Sequence, residues 1–226
     1  MAIRLCGRPT STNTQRVLWT LAELGLPCEF TLASGTTGPD GYVWQGHKPY
    51  GFVDTPEYRA MNPNGTIPVL VDEDGFVIWE SLAIVQYLAR KYAPEKLLGG
   101  SDEAFARAFQ WMAWTNHALE PTMHTLVMHR ERLPKEKRSE EAVEAARQDA
   151  LKKLAIMDER LSKAPYLAGD AFSIGDIPAG IAIQRFRHFR LEHPPFPSVK
   201  AWITRLEERE GFRKHVLPRE FHLRSN

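Results

Sequence analysis

Apolar and polar positions alternate with one period early in the chain and another later. Ala2 to Cys6, led by Ile3 and Leu5, is short and apolar and predicts a strand. Gly7 to Asn13 is a polar loop. Apolar residues then recur at Val17, Leu18, Leu21 and Leu24, the spacing of one helix face, and Gly25 follows as a stop signal. Cys28 to Ala33 predicts a second strand, and strand–helix–strand is the unit of a parallel pair. Thr55 to Met61 predicts a short helix begun by Thr-Pro. Ile67 to Val71 and Phe76 to Trp79 predict two strands around a hairpin loop at Asp72 to Gly75. Glu80 and Ser81 then open a helix with apolar Leu82, Val85, Leu88 and Ala89.

Ala93 to Ser101 carries Pro and paired Gly and predicts a linker, dividing the chain into 1–92, 93–101 and 102–226. Everything after it has helical spacing. Ala104 to Leu119 repeats apolar Phe105, Ala108, Phe109 and Met112, and Pro121 predicts a kink or break. Residues 139–161 form the clearest amphipathic helix, with Val143, Ala146, Ala150, Leu154, Met157 and Leu161 inward. Its pairs Asp149–Lys153 and Glu159–Lys163 predict a solvated outer face. Phe172 to Ile177 reads as a capping box, with Ser173 as cap, Asp176 three later and Phe172 stapling to Ile177. Pro197 to Glu210 predicts a later helix, and Pro218 to Asn226 a tail. Residues 34–54 form a long Gly- and aromatic-rich loop.

Composition narrows the classes. The 226 residues carry 29 basic and 28 acidic side chains, a net charge of +1, which points to neither a nucleic-acid nor a membrane partner. No apolar run has the length of a membrane span, and the N-terminus has no secretory signal pattern. The two cysteines, Cys6 and Cys28, form no CxxC pair, so free thiols in a reducing, cytoplasmic compartment are expected. The eight histidines show no zinc-binding spacing, and no metal is expected.

The candidate chemistry lies at two helix starts. Thr10 to Asn13 precedes the first helix, where hydroxyls and backbone N–H groups converge on one spot suited to an anion such as a thiolate. Ser81 begins another helix, whose free N–H groups and dipole favour a carboxylate, although Ser81 serves equally as a simple cap and Glu80 as a first-turn acid. Pro68 at a strand start marks an edge or a special peptide bond, and the residues alone do not choose.

The run Asn-Pro-Asn-Gly-Thr-Ile-Pro-Val-Leu at 62–70, followed by Glu80-Ser81 opening a helix, resembles the glutathione transferase family, and the resemblance extends over nearly the whole chain. It is nearest to the bacterial, serine-type, theta- or nu-like classes. The resemblance implies an α/β thioredoxin-like N-terminal domain, in the order β-α-β-α-β-β-α, followed by an all-α helical domain. It implies a cis Ile67–Pro68 bond, with Ile67 holding the cysteinyl backbone of glutathione and Glu80 and Ser81 its γ-glutamyl end. Ser11 then falls where a serine hydroxyl donates to the glutathione sulfur, and Asn13 where some bacterial classes place an asparagine. A cysteine at position 11 would have indicated a thiol-exchange class. His47 and Lys48 are the basic candidates for the glycine carboxylate, or are solvated loop residues. The second substrate, a hydrophobic electrophile, is expected between the domains beside Trp44, Trp114 and His117, where core packing is the competing role of the helical residues.

The implied activity is glutathione conjugation serving detoxification, with glutathione as co-substrate and the protein a homodimer. Glutathione-dependent disulfide or peroxide reduction is a second reading, motivated by Asn13. A non-catalytic binding module is a third, since the same scaffold serves as an interaction domain.

Overall fold

The structure, a computed structural model, describes residues 2–33 and 53–217. The 34–52 stretch, with Trp44, His47 and Lys48, and the 218–226 tail lie outside the described residues. The N-terminal elements are β1 (Ile3–Gly7), α1 (Thr12–Leu24), β2 (Cys28–Leu32), α2 (Pro56–Met61), β3 (Val69–Val71), β4 (Val77–Trp79) and α3 (Ser81–Tyr92). The sheet runs β2-β1-β3-β4, with β1 parallel to β2 and antiparallel to β3. This is the thioredoxin-like order read from the sequence. Gly25 ends α1 in the left-handed conformation, at φ 68°. Ile67 stays outside β3, and the Ile67–Pro68 bond is cis.

The helical half comprises α4 (Pro94–Leu98), α5 (Asp102–Trp114), α6 (Glu120–Val127), α7 (Glu140–Leu161), α8 (Asp176–His188), α9 (Pro197–Glu207) and α10 (Glu210–His215). Three details differ from expectation, and the expected capping box has a feature of its own. The linker is not irregular, because Pro94 starts α4, which buries Leu97 and Leu98. Pro121 does not break the helical path. A π-helical turn at Thr115–Leu119, closed by Glu120 N–H donating to Thr115 O, places Pro121 in the first turn of α6, where its missing N–H costs nothing. The Asp149–Lys153 pair is not purely a solvated surface feature, since Lys153 Nζ also donates to Thr122 Oγ1 on α6 (2.6 Å). The capping box closes around a buried carboxylate. Asp176 Oδ2 accepts from Ser173 N–H (3.0 Å) and Ser173 Oγ (3.2 Å), and Asp176 Oδ1 accepts from Leu167 N–H (3.0 Å) and Trp202 Nε1 (2.9 Å).

The two halves meet on α1. Trp19 is fully buried and packs on Phe172 and Phe212, with ring centroids 5.6 and 5.0 Å away. Its Nε1 donates to Glu23, which receives both Arg209 Nε and Nη2 at 2.9 and 2.6 Å. The ring needs glycine beneath it. A Cβ on Gly211 would stand 2.4 Å from Trp19, and one on Gly180 would stand 3.0 Å from it. Burial of one indole ring therefore orients the first turn of α1 against α8 and the π-helical turn after α5, and that junction is where the site forms.

Candidate functional site

Ser11 is the N-cap residue of α1, with extended backbone (φ −78°, ψ 127°). Gln15 N–H donates to Ser11 O (2.8 Å), the first bond of the helix, so the N–H groups of Thr12, Asn13 and Thr14 have no intrahelical acceptor. The Ser11 side chain makes no capping bond. A hydroxyl and the positive end of the helix therefore face outward together.

They face a cavity of about 400 Å³. The N-terminal half contributes Ser11, Asn13 and Ile67 to its wall, and the helical half contributes Asn116, Glu120, Pro121, His124 and Arg185. Ser11, Asn13 and Ile67, expected from the sequence to act together, all lie on this wall. Pro68 lies behind Ile67, fully within the fold. Glu80 and Ser81 are not on the cavity wall. Trp114 and His117 are not on it either: Trp114 packs edge-on against Trp111 (5.2 Å) beside the helical core, and His117 is exposed.

Ser81 is joined to the cavity through a residue that the pattern reading passed over. Arg16 is 2% exposed. Its Nη1 donates to Asn13 Oδ1 (2.9 Å), Ser81 Oγ (3.2 Å) and Asn116 Oδ1 (3.3 Å), and its Nη2 donates to Glu120 Oε1 (2.5 Å). Ser81 Oγ in turn donates to Asn13 Oδ1 (3.4 Å). A guanidinium can only donate, so the oxygen of the Asn13 amide faces Arg16. The Nδ2 group is then the part of Asn13 available to another acceptor. One buried cation thus fixes Asn13 from α1, Ser81 from α3 and Glu120 from the helical half. The readable signal was a charged residue three positions after Asn13, on the same face, immediately before the apolar Val17 and Leu18. Nothing in the local pattern pointed to Asn116, Glu120 or Arg185, because their places depend on how the two halves dock.

At α3, Glu80 adopts φ 68° and ψ 111°, a conformation uncommon for a residue with a Cβ. Its carbonyl accepts from Ile84 N–H (2.9 Å), leaving the N–H groups of Ser81, Leu82 and Ala83 without intrahelical acceptors. An exposed carboxylate, a strained backbone and open N–H groups occupy adjacent positions, and strain of this kind collects at ligand clamps. Elsewhere in the sheet, Cys6 is buried and burial raises its thiol pKa, an inert setting rather than a reactive one. No cluster of metal-binding side chains occurs among the described residues.

Comparison with known proteins agrees with this geometry. Residues 10–91 match the glutathione S-transferase N-terminal domain, and residues 115–210 match the C-terminal domain. Glutathione S-transferase GstB of Escherichia coli is 35% identical over 216 residues, covering 95% of this chain and 98% of that protein. Glutathione S-transferase 3 of Zea mays is 33% identical, covering 95% and 93%. The glutathione-bound theta class glutathione S-transferase of Xanthomonas axonopodis pv. citri superposes with a TM-score of 0.83 at 34% identity, covering 96% of this chain and 98% of that one. Sequence and fold agree, and the chain belongs to the glutathione S-transferase family.

Proposed function

We propose that the protein binds glutathione along the edge formed by Ile67, Glu80 and Ser81, activates its thiol at Ser11 and Asn13, and transfers the sulfur to an electrophile entering from the helical side. The observation that carries this reading is the cavity at the start of α1, whose described wall includes Ser11, Asn13, Ile67, Asn116 and Glu120 together. The peptide's carboxylate meets the open N–H groups of α3, and its amine meets Glu80. The sulfur lies near the Ser11 hydroxyl, the Asn13 amide and the first turn of α1. An unperturbed thiol has a pKa of about 8.5, and donors with a helix N-terminus lower it, so more thiolate is present near neutral pH. The protein supplies proton removal and proximity, while carbon–sulfur bond formation is the chemistry of glutathione itself.

The test is the ultraviolet thiolate absorbance of the glutathione complex against pH. A midpoint below that of free glutathione supports the reading, and a coincident titration refutes it. Reduction of glutathionyl disulfides is the second reading, favoured by the Asn13 amide so close to Ser11. Turnover of a disulfide with glutathione but of no electrophile would select it. The working form is a cytoplasmic homodimer acting in detoxification, with its domains divided at 93–101. The dimer is proposed from the family likeness alone, because Val85 and Leu88 of α3 are buried within the chain's own core and Leu82 and Tyr87 pack against it. A monomeric mass by light scattering at micromolar concentration would exclude it.

A further inference from the structure

The Ser11 side chain makes no capping bond, so its direction is set by the two peptide units that flank its Cα. The peptide after it is fixed where Gln15 N–H donates to Ser11 O (2.8 Å). The peptide before it, Thr10–Ser11, is held at both ends. Its N–H donates to Arg8 O (2.9 Å), and its carbonyl, Thr10 O, accepts from Arg185 Nη2 (3.1 Å). The first two of these bonds are local to the N-terminal half. The last comes from α8, 175 residues further along the chain. It follows from the docking around Trp19. Gly180 of α8 lies under the Trp19 ring, and Arg185, further along the same helix, reaches Thr10, so α8 runs back along α1 toward its first turn. Arg185 is 7% exposed and lines the cavity that Ser11 faces. Burial pulls its guanidinium down to about 10, so it stays a charged donor near neutral pH. A bond from a charged donor is stronger than the neutral bonds on either side of it.

From this placement we infer that Arg185 is a positioning residue for thiol activation: it clamps the Thr10–Ser11 peptide from the helical half, so that the Ser11 hydroxyl stays directed at the glutathione sulfur. The inference rests on the role given to Ser11 above. At the base of the loop, Arg8 N–H donates to Thr14 Oγ1 (3.3 Å), which ties residue 8 but not the carbonyl of residue 10. Without the guanidinium that carbonyl is free to turn toward the cavity. Ser11 Cα turns with it, because the two belong to one planar peptide unit. Hydrogen bonds weaken steeply with angle, so a small rotation is enough to impair donation to the sulfur. The N–H groups of Thr12 to Thr14 remain, and the Ile67 and α3 edge assigned to the peptide is untouched. Thiol acidity and kcat therefore depend on Arg185 more than glutathione affinity does.

The experiment titrates the ultraviolet thiolate absorbance of bound glutathione against pH and measures kcat and KM with benzyl chloride. The proteins are full-length wild type, Arg185→Met, Arg185→Lys, Ser11→Ala and the double variant Ser11→Ala with Arg185→Met. Arg185→Met is expected to raise the bound thiol pKa in the same direction as Ser11→Ala. It should lower kcat about tenfold, the effect of one charge-assisted hydrogen bond, with a smaller change in KM for glutathione. Arg185→Lys, which keeps a charged donor of shorter reach, lies between. In the Ser11→Ala background, Arg185→Met adds no further shift, because the hydroxyl it positions is gone. A titration unmoved in folded Arg185→Met overturns the inference and leaves the transferase reading standing. An equal shift with and without Ser11 also overturns it, since the charge would then act on the sulfur directly. So does a rise in KM for glutathione with kcat retained, which assigns Arg185 to the peptide. If Arg185→Met does not fold, Arg185→Gln decides by the same comparison. A wild-type thiol that titrates with free glutathione removes thiol activation and this inference together.

Discussion

Arg16→Met tests whether one buried cation holds the two halves of the site together. The substitution keeps an unbranched side chain of similar length and removes every donor. It leaves Glu120, whose side chain is 19% exposed, without its 2.5 Å partner, and strips a donor from Asn13, Ser81 and Asn116. Breaking a buried ion pair from one side costs about 3–5 kcal/mol, and the partial exposure of Glu120 sets the value near the lower end, about 3 kcal/mol. In a chain of this size each kcal/mol moves Tm by about 2–4 °C, so the variant should melt about 6–12 °C lower. Adding Glu120→Gln removes the stranded charge and should restore about 1–2 kcal/mol, since groups in direct contact do not add independently. Urea unfolding of the wild type, both single variants and the double variant gives the coupling directly. A single variant melting within 2 °C of wild type would sink the argument, and strictly additive losses would show that the ion pair does not hold the junction.

Three further outcomes follow from the same geometry. Ser81→Ala should weaken glutathione binding at least tenfold, because one hydrogen bond to a charged group is worth about 1.5–3 kcal/mol; an unchanged calorimetric affinity rejects its place in the peptide site. Ser11→Ala should raise the pKa of bound glutathione and lower kcat more than affinity, each pKa unit being about 1.4 kcal/mol, while the N–H groups of Thr12 to Thr14 retain part of the effect; a shift in Asn13→Ala but not in Ser11→Ala moves the role to Asn13. At Asp72, burial opposes the charge, but hydrogen bonds from Lys91, Tyr87 and Tyr92 outweigh it and hold the carboxyl at about 2. The unfolded chain then binds the extra proton between about pH 4 and 2, so about 2 kcal/mol of stability present above pH 4 should be lost as pH falls through that window. Asp72→Asn should flatten that part of the profile in urea unfolding, and an unaltered slope refutes the assignment.

Local pattern determined much of this protein. Spacing alone places α1, α7 and the β3–β4 hairpin, because one-sided burial requires periods near 3.6 and 2 whatever the partner is. Gly25 ends α1 as read, since the left-handed position there favours glycine. The motif from Asn62 to Ser81 led to the family, because its turn, hairpin and helix start need particular residues in a contiguous run. The start of α1 at Ser11 and Asn13 was legible in the same way.

Tertiary structure decided the rest. Asp149 and Lys153 look like a solvated pair until α6 brings Thr122 against them. Pro121 looks like a break until a π-helical turn shifts it into a first turn. Trp114 and His117 have the right chemistry for a substrate wall, yet neither is on the cavity wall: Trp114 packs on Trp111 and His117 is exposed, while Asn116 of the same turn reaches the cavity. Arg16, at the head of the apolar stretch of α1, had a faint local signal, and Arg185, between Gln184 and Phe186 near the end of α8, had none. Their burial is tolerable only because partners as far away as Glu120 and Thr10 arrive when the halves close around Trp19. Periodicity specifies which face of each element is buried, but docking specifies what that face meets, and the charge of this cavity arises from the second.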